Sequence, residues 1–486
     1  MNDYKSRVLV STMWRFAEQF GTQIIQFIVQ LVLARLLLPS DFGLIAMLTV
    51  FISISQVFVD SGLGQAIIQK KEIDNVDLSS VFFLNLMISV LLYLILYFGA
   101  SFVANYYNEP LLKALLRVHG IVILINSANI VQNSLMRRNM EFKKSFFRGA
   151  IGILVQGVVG VSLAFMGAGV WAITFSQISR SIANTVVLWT TVKWRWECTF
   201  SVMKVKNMLK YGSGILFTSL ANSIFINIQT LFIAKGFNSA LLGYYNRGDQ
   251  LPKLVAGNIT QPIVAVIFPV FSKQQDNATI LKDMIRRFIV LGTFVTIPGM
   301  FLLMLISEEV LLFLLTDKWI AAVPFMQLAC VKYAFSPLHD ANLQALKAIG
   351  KSDIFFRLSL IKNFIAIIVL LITVQFGIIY VAIGATVCSI VSIFINIWPV
   401  GKYIGYRIRE QLLDILPTIL ITFVTVTVIL IFRITIGQSN ILITVFIFAL
   451  LYFLLSYIFR SRALHLFIEL MKKVNNLVIT KIDKVY

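Results

Sequence analysis

Apolar residues run in long blocks from Leu9 to Phe459, separated by short polar stretches and without the ten-residue alternation of a membrane strand. A bilayer core of about 30 Å needs about 20 mostly apolar residues per helix, and lipid admits only helices or closed barrels. The pattern predicts fourteen spanning helices, near 9–38, 42–67, 79–104, 112–136, 146–166, 169–192, 211–234, 251–271, 287–306, 321–346, 356–376, 378–400, 411–432 and 440–459. The first block is too long for a signal peptide, contains Arg15 and Glu18, and is followed by no small-residue cleavage site.

Composition agrees. Of 486 residues 58% are hydrophobic and 13% charged, with a mean hydropathy of +0.86, which excludes a soluble globular protein. The expected class is an all-α polytopic membrane protein. The net charge of +20 would suggest nucleic acid in a soluble chain, but here the position of each charge explains it. With the N-terminus inside, the cytoplasmic segments hold 30 Lys and Arg and the opposite side 7, so the positive-inside rule places both termini in the cytoplasm. Basic faces also suit anionic lipid headgroups, and no nucleic-acid partner is implied. Cys198, Cys330 and Cys388 form no CxxC pair, so neither a disulfide framework nor a zinc site is expected.

An internal repeat is visible. A shift of 200 places Ile24, Ile28, Leu31, Ala34 and Gly43 on Ile224, Ile228, Leu231, Ala234 and Gly243, and a shift of 209 places Phe146, Phe147 and Arg148 on Phe355, Phe356 and Arg357. Two matches at nearly the same offset point to a duplicated six-helix unit. The expected domains are a six-helix lobe at 1–200, a second at 201–405, and two extra helices with a basic tail at 406–486.

Ionisable residues inside a membrane are expensive and usually face a bundle interior or an aqueous cavity. The deep cations are Arg15, Arg117, Arg180, Lys332 and Lys362; the deep acids are Glu18, Asp60 and Asp340, with His119 and His339 beside them. Polar stripes run through the same blocks: Arg15, Glu18, Thr22, Gln26 and Gln30, then Thr49, Ser53, Gln56 and Asp60, then Asn126, Asn129 and Asn133, then Gln177, Arg180, Ser181 and Asn184, then Ser219, Asn222, Ser223 and Thr230, and Asn258 and Gln261. Each amide or hydroxyl also has a plain reading as hydrogen-bond glue between helices, and each charge as half of a buried ion pair. The cationic excess favours an anionic headgroup such as a phosphate or diphosphate, which Arg grips bidentately. The five cations are therefore the candidate substrate ligands, and Glu18, Asp60, Asp340, His119 and His339 the candidate sites for a coupling H+ or Na+. No other cofactor and no metal is expected. Prolines 262, 269, 298, 324 and 337 fall in or at the ends of second-lobe helices, so the spans at 251–271 and 321–346 are expected to bend.

Catalytic motifs fail. HExxH and GxSxG are absent, and Gly350-Lys351-Ser352 lacks both the first glycine and the strand of a phosphate loop.

Leu38-Pro-Ser-Asp-Phe-Gly-Leu44, Asp60-Ser-Gly-Leu-Gly-Gln-Ala-Ile-Ile-Gln69, Gly243-Tyr-Tyr-Asn-Arg-Gly-Asp-Gln-Leu-Pro252 and Ile259-Thr-Gln-Pro-Ile263 resemble the corresponding stretches of bacterial Wzx-type oligosaccharide flippases. The resemblance is to the colanic-acid and capsule branch of the multidrug/oligosaccharidyl-lipid/polysaccharide (MOP) exporter superfamily. It implies two six-helix lobes around a V-shaped central cavity in the bacterial cytoplasmic (inner) membrane. It further implies alternating-access transport of an undecaprenyl-diphosphate-linked oligosaccharide for exopolysaccharide, capsule or O-antigen synthesis. A polysaccharide polymerase and chain-length machinery are then candidate partners. No ligand set transfers residue by residue. A multidrug or cation antiporter of the same architecture is disfavoured by the basic cavity. A membrane-embedded polymerase or ligase is disfavoured by the short outward loops, the largest being expected at Lys235–Gln250.

Overall fold

The computed structural model describes residues 2–60, 62–436, 440–469 and 471–472, and every regular element among them is helical. Two compact units, 1–243 and 244–486, divide the chain. The first contains α1 (Asn2–Leu36), α2 (Pro39–Asp60), α3 (Leu63–Gln69), α4 (Asn75–Tyr107), α5 (Pro110–His119), α6 (Ile121–Ser127), α7 (Ile130–Arg138), α8 (Phe142–Phe165), α9 (Val170–Thr191), α10 (Val202–Gly236) and the first turn of α11 (Ser239–Lys273). The second holds the rest of α11, then α12 (Ala278–Leu305), α13 (Ser307–Leu314), a 3-10 turn (Asp317–Ala322), α14 (Val323–Ala334), α15 (Ser336–Ala348), α16 (Ser352–Thr373), α17 (Ile378–Ile404), α18 (Ile408–Ile436) and α19 (Ile441–Ile458).

The chain is an all-α polytopic membrane protein. Among the described residues eleven helical stretches are long and apolar enough to cross a bilayer, so the expected fourteen is not reproduced by that measure. The other three expected spans fall on α1, whose stretch Phe20–Leu36 is apolar but shorter, and on α9 and α11, which carry more polar residues. Outward faces expose Phe98, Phe102, Phe165, Phe364 and Phe423, as a lipid-facing surface requires.

Local chemistry sets the helix ends. Asp74 and Asp77 form a capping box at the start of α4, with Asp77 N–H donating to Asp74 Oδ1 at 2.8 Å and Asp74 N–H to Asp77 Oδ2 at 3.2 Å. Gly62, at φ +70°, turns the chain between α2 and α3, and a Cβ there would stand 2.5 Å from the Gly212 carbonyl oxygen. The corner therefore crosses α10 backbone to backbone.

Three expectations are corrected. The block at 112–136 is not one helix but α5, α6 and α7. It breaks at Asn126–Asn129, where short polar side chains compete for backbone bonds and Ser127 Oγ donates to the Leu124 carbonyl at 2.8 Å. The outward loop at Lys235–Gln250 is largely the start of α11, because Asn238 Oδ1 accepts the Leu241 N–H at 2.8 Å and caps a helix at Ser239. The block at 321–346 is likewise not one helix but divides at Phe335, because the Tyr333 carbonyl would need the N–H of the residue four positions on, which Pro337 lacks.

In the first unit α8 packs on α1 and α9, α10 on α2, and α3 on α7; Leu63, Ile67, Val81, Phe82 and Val131 form a core at one end. In the second, α12 packs on α14, α15 and α18 around Ile285, Leu338, Ile397 and Ile415. There Phe294, Phe448 and Tyr452 fasten the last two helices to α12.

Candidate functional site

Within the first unit, α2, α3, α7, α8, α9 and α10 enclose a cavity of about 640 Å³, inside the range of small-molecule sites. Its polar lining is mostly amide and hydroxyl: Gln56 from α2, Gln65 from α3, Asn133 and Ser134 from α7, Asn184 from α9, and Ser219, Asn222, Ser223 and Asn227 from α10, with Asn126 and Asn129 at the α6–α7 junction. Arg137, Arg148 and Asp60 are the charged members.

These groups are ordered by one another. Asn126 Nδ2 donates to Gln56 Oε1 at 3.1 Å, and Gln56 Nε2 donates to Asp60 Oδ1 at 3.3 Å. Asn129 Nδ2 donates to Thr185 Oγ1 at 2.7 Å, whose own proton goes to the Ser181 carbonyl at 2.8 Å. Asn227 Nδ2 donates to Ser53 Oγ at 3.2 Å and ties α10 to α2. The Arg148 guanidinium donates to Asn133 Oδ1, which fixes the cation against α7, while Arg137 acts electrostatically on Asp60. Two cations against one carboxylate leave the described lining net positive. Amides and hydroxyls that both donate and accept suit sugar hydroxyls; guanidinium groups suit phosphate.

The end of the unit nearest Arg137 is held by polar ties. Arg138 donates to the carbonyls of Ile67, at 2.7 Å, and of Lys71, at 2.7 Å, so it caps α3 from α7. Lys204 at the start of α10 pairs with Asp74 at the N-terminus of α4. The Lys204 hydrogen bond, followed by the Asp77 N–H, holds the Asp74 carboxyl at about 2. Glu197 N–H donates to Ser79 Oγ at 3.0 Å and Ser201 N–H to Ser80 Oγ at 2.9 Å. The segment between α9 and α10 is thus laced to α4.

Of the ten residues singled out from the sequence, eight have described side chains, and among these only Asp60 lines this cavity. The side chains of Arg15 and Glu18 lie outside the described ones. Arg117 donates through Nε to the Tyr97 carbonyl at 3.2 Å and stacks on the Tyr97 ring at 4.5 Å. His119 is buried, its Nδ1 without a hydrogen-bond partner among the described residues. Arg180 donates through Nη1 to Gln26 Oε1 at 2.5 Å and Gln156 Oε1 at 3.2 Å. In the second unit Lys332 pairs with Asp249 at 2.9 Å, and Tyr333 donates to the same carboxylate at 3.0 Å. Lys362 Nζ donates to Asn396 Oδ1 at 2.9 Å, and Asn396 Nδ2 faces His339 Nδ1 at 3.0 Å. Asp340 lies beside Thr260, whose hydroxyl donates to the Ala256 carbonyl at 3.0 Å.

Sequence reasoning missed three charges. Arg137 and Arg148 enter its count as cytoplasmic cations, and Asp249 falls in the expected outward loop. A signal for the first was present: Arg137 continues, one turn on, the four-residue step Asn129–Asn133. Among the described residues no cluster of His, Cys, Asp and Glu could hold a metal ion, and all three cysteines are free.

Comparison with known proteins bears on this cavity. Residues 32–324 match the family model described as polysaccharide biosynthesis protein. The chain is 24% identical over 412 residues to the lipopolysaccharide biosynthesis protein WzxC of Escherichia coli, covering 81% of this chain and 82% of that one. It is 24% identical over 372 residues to the teichuronic acid biosynthesis protein TuaB of Bacillus subtilis, covering 76% and 77%. Its fold is similar to that of lipid II flippase MurJ in an inward closed conformation, with a TM-score of 0.74 and 17% identity over 92% of this chain and 98% of that one.

Proposed function

The chain belongs to the polysaccharide biosynthesis protein family, and from that premise we propose that it is a flippase moving undecaprenyl-diphosphate-linked oligosaccharide repeat units across the bacterial cytoplasmic membrane. The observation that carries this reading is the first-unit cavity, where Arg137 and Arg148 stand beside an array of amides and hydroxyls. The guanidinium groups supply charge-assisted bonds to a diphosphate, and the amides exchange bonds with sugar hydroxyls while the polyprenyl chain stays in lipid. A cationic drug would need the opposite sign.

The motifs read from Leu38–Leu44 and Asp60–Gln69 lie inside the matched region, and the family they suggested is the one the chain belongs to. The relatives whose names refer to lipopolysaccharide and teichuronic acid synthesis support a lipid-linked sugar as cargo. Arg137 and Arg138 belong to the basic side, so with both termini in the cytoplasm the cavity loads from inside. An inside-negative potential then assists outward movement of the anion by about 2.3 kcal/mol per charge per 100 mV. Asp60, the one carboxylate among the described lining residues, is the group assigned to a coupling H+ or Na+.

The test is deletion of the gene. Lipid-linked repeat units are expected to accumulate on the cytoplasmic leaflet while surface polysaccharide disappears, and the full chain restores both. Normal surface polysaccharide in the deletion strain, or drug hypersensitivity without accumulated repeat units, overturns the reading.

A further inference from the structure

Arg180 lies one rung beyond the cavity on a ladder between α8 and α9. Arg148, Gly152 and Gln156 follow at four-residue steps on α8, and Asn184, Arg180 and Ser176 run the other way on α9. The rungs are visible as contacts. A Cβ on Gly152 would stand 2.4 Å from Asn184 Oδ1, Gln156 Oε1 accepts from Arg180, and a Cβ on Gly160 would stand 2.9 Å from Ser176 Cβ. Glycines on both sides of the Gln156 rung draw the helices together there. At 1.5 Å per residue the Gln156 rung is about 12 Å along α8 from Arg148.

The surroundings of Arg180 are unusual for a cation in a membrane helix. Its bonds are to two neutral amide oxygens, Gln26 and Gln156, both through Nη1; no carboxylate is paired with it among the described residues. By contrast, Lys332 in the second unit has Asp249. A half-buried guanidinium with no carboxylate partner among the described residues keeps its charge uncompensated and holds donors in reserve.

We propose that Arg180 is a second anion station, which takes the phosphate of the cargo after it leaves Arg137 and Arg148. This rests on the flippase reading above. Gln26 and Gln156 hold the guanidinium in place without neutralising it, and Asn184, which lines the cavity one turn before Arg180, bridges the two stations. The first station determines binding from the cytoplasmic side and the second determines onward passage.

Gln156→Glu tests this with little change of shape. It gives Arg180 an internal carboxylate, so it blocks the station while retaining or raising thermal stability. Full-length protein in nanodiscs is measured for binding of undecaprenyl diphosphate, and cells carrying the same variants are measured for surface polysaccharide. Gln156→Glu and Arg180→Gln are expected to bind within threefold of wild type yet lower surface polysaccharide at least tenfold, with Arg180→Lys intermediate; Arg148→Ala is expected to lose at least tenfold in binding. Wild-type polysaccharide from Gln156→Glu overturns the second station, as does a binding loss equal to that of Arg148→Ala. Absence of undecaprenyl diphosphate binding by the wild-type protein would instead overturn the flippase reading itself.

Discussion

Gly43 and Gly243 meet as reciprocal partners: a Cβ on Gly43 would lie 1.7 Å from the Ser239 carbonyl oxygen, and a Cβ on Gly243 would lie 2.0 Å from the Pro39 carbonyl oxygen. Each glycine sits four residues into its helix, α2 or α11, against the first residue of the other. The two positions are the pair that the 200-residue shift superimposes, so the sequence repeat is expressed as a symmetric crossing of two helix starts.

Both contacts are to backbone, which cannot swing aside. Gly43→Ala and Gly243→Ala are each expected to lower stability by about 1–3 kcal/mol through overpacking. The double variant is expected to fall short of the sum, because one displacement of the crossing relieves both clashes. Gly214→Ala, which meets nothing within 4 Å, serves as the control and should be neutral or slightly stabilising. Thermal unfolding in detergent measures all four.

The Asp74–Lys204 tie makes an acid-dependent contribution. The Asp74 carboxyl is depressed to about 2 when folded and returns to about 3.9 when unfolded, so its stabilisation is complete above pH 4 and declines as the pH falls to 2. Asp74→Asn is expected to unfold at a lower temperature than wild type at pH 6 and to converge with it near pH 2. Parallel curves at all pH values would show that the pair contributes nothing to folding.

Orientation is checked by single cysteines in a variant lacking Cys198, Cys330 and Cys388. Position 108 is expected to react with an impermeant maleimide added outside intact cells; positions 139 and 277 are expected to react only after permeabilisation. The reverse pattern would invert the loading side of the cavity.

Much of the fold was legible because lipid leaves few choices. Helix class and the long apolar spans follow from block length. The breaks were harder to see. Asn126–Asn129 ends a helix inside what reads as one span, where short polar side chains bond to nearby carbonyls, and Asn238 starts one inside what reads as a loop, where its side chain caps the helix. The candidate site was legible in its amides and hydroxyls, since Gln56, Asn126, Asn129, Asn133, Ser219, Asn222 and Ser223 of the polar stripes all line the cavity, but not in its arginines. Arg137 and Arg148 sit near span ends, where a cation has an adequate topological explanation, and only the packing of α7 and α8 brings them beside Asn133 and Asp60. Lys332 looked like a ligand because its partner Asp249 is 83 residues away in sequence.

Asp60 is the proposed ion-coupling group. In proteoliposomes Asp60→Asn is expected to retain undecaprenyl diphosphate binding within threefold and to lose the acceleration produced by an imposed proton or sodium gradient, leaving transport driven by membrane potential. Gradient-driven transport at the wild-type rate in this variant would make Asp60 a structural partner of Gln56.

The central claim is that the first-unit arginines hold the anionic end of a lipid-linked sugar, and transport by Arg148 variants in the deletion strain tests it most directly. Removing one charged hydrogen-bond donor costs about 1.5–3 kcal/mol, roughly a ten- to hundredfold loss. The ratio of surface polysaccharide to lipid-linked repeat units retained inside is therefore expected to fall at least tenfold for Arg148→Ala, further when Arg137→Ala is added, and to recover in part with Arg148→Lys, at equal amounts of protein in the membrane. An unchanged ratio in the Arg137→Ala, Arg148→Ala double variant would contradict the account.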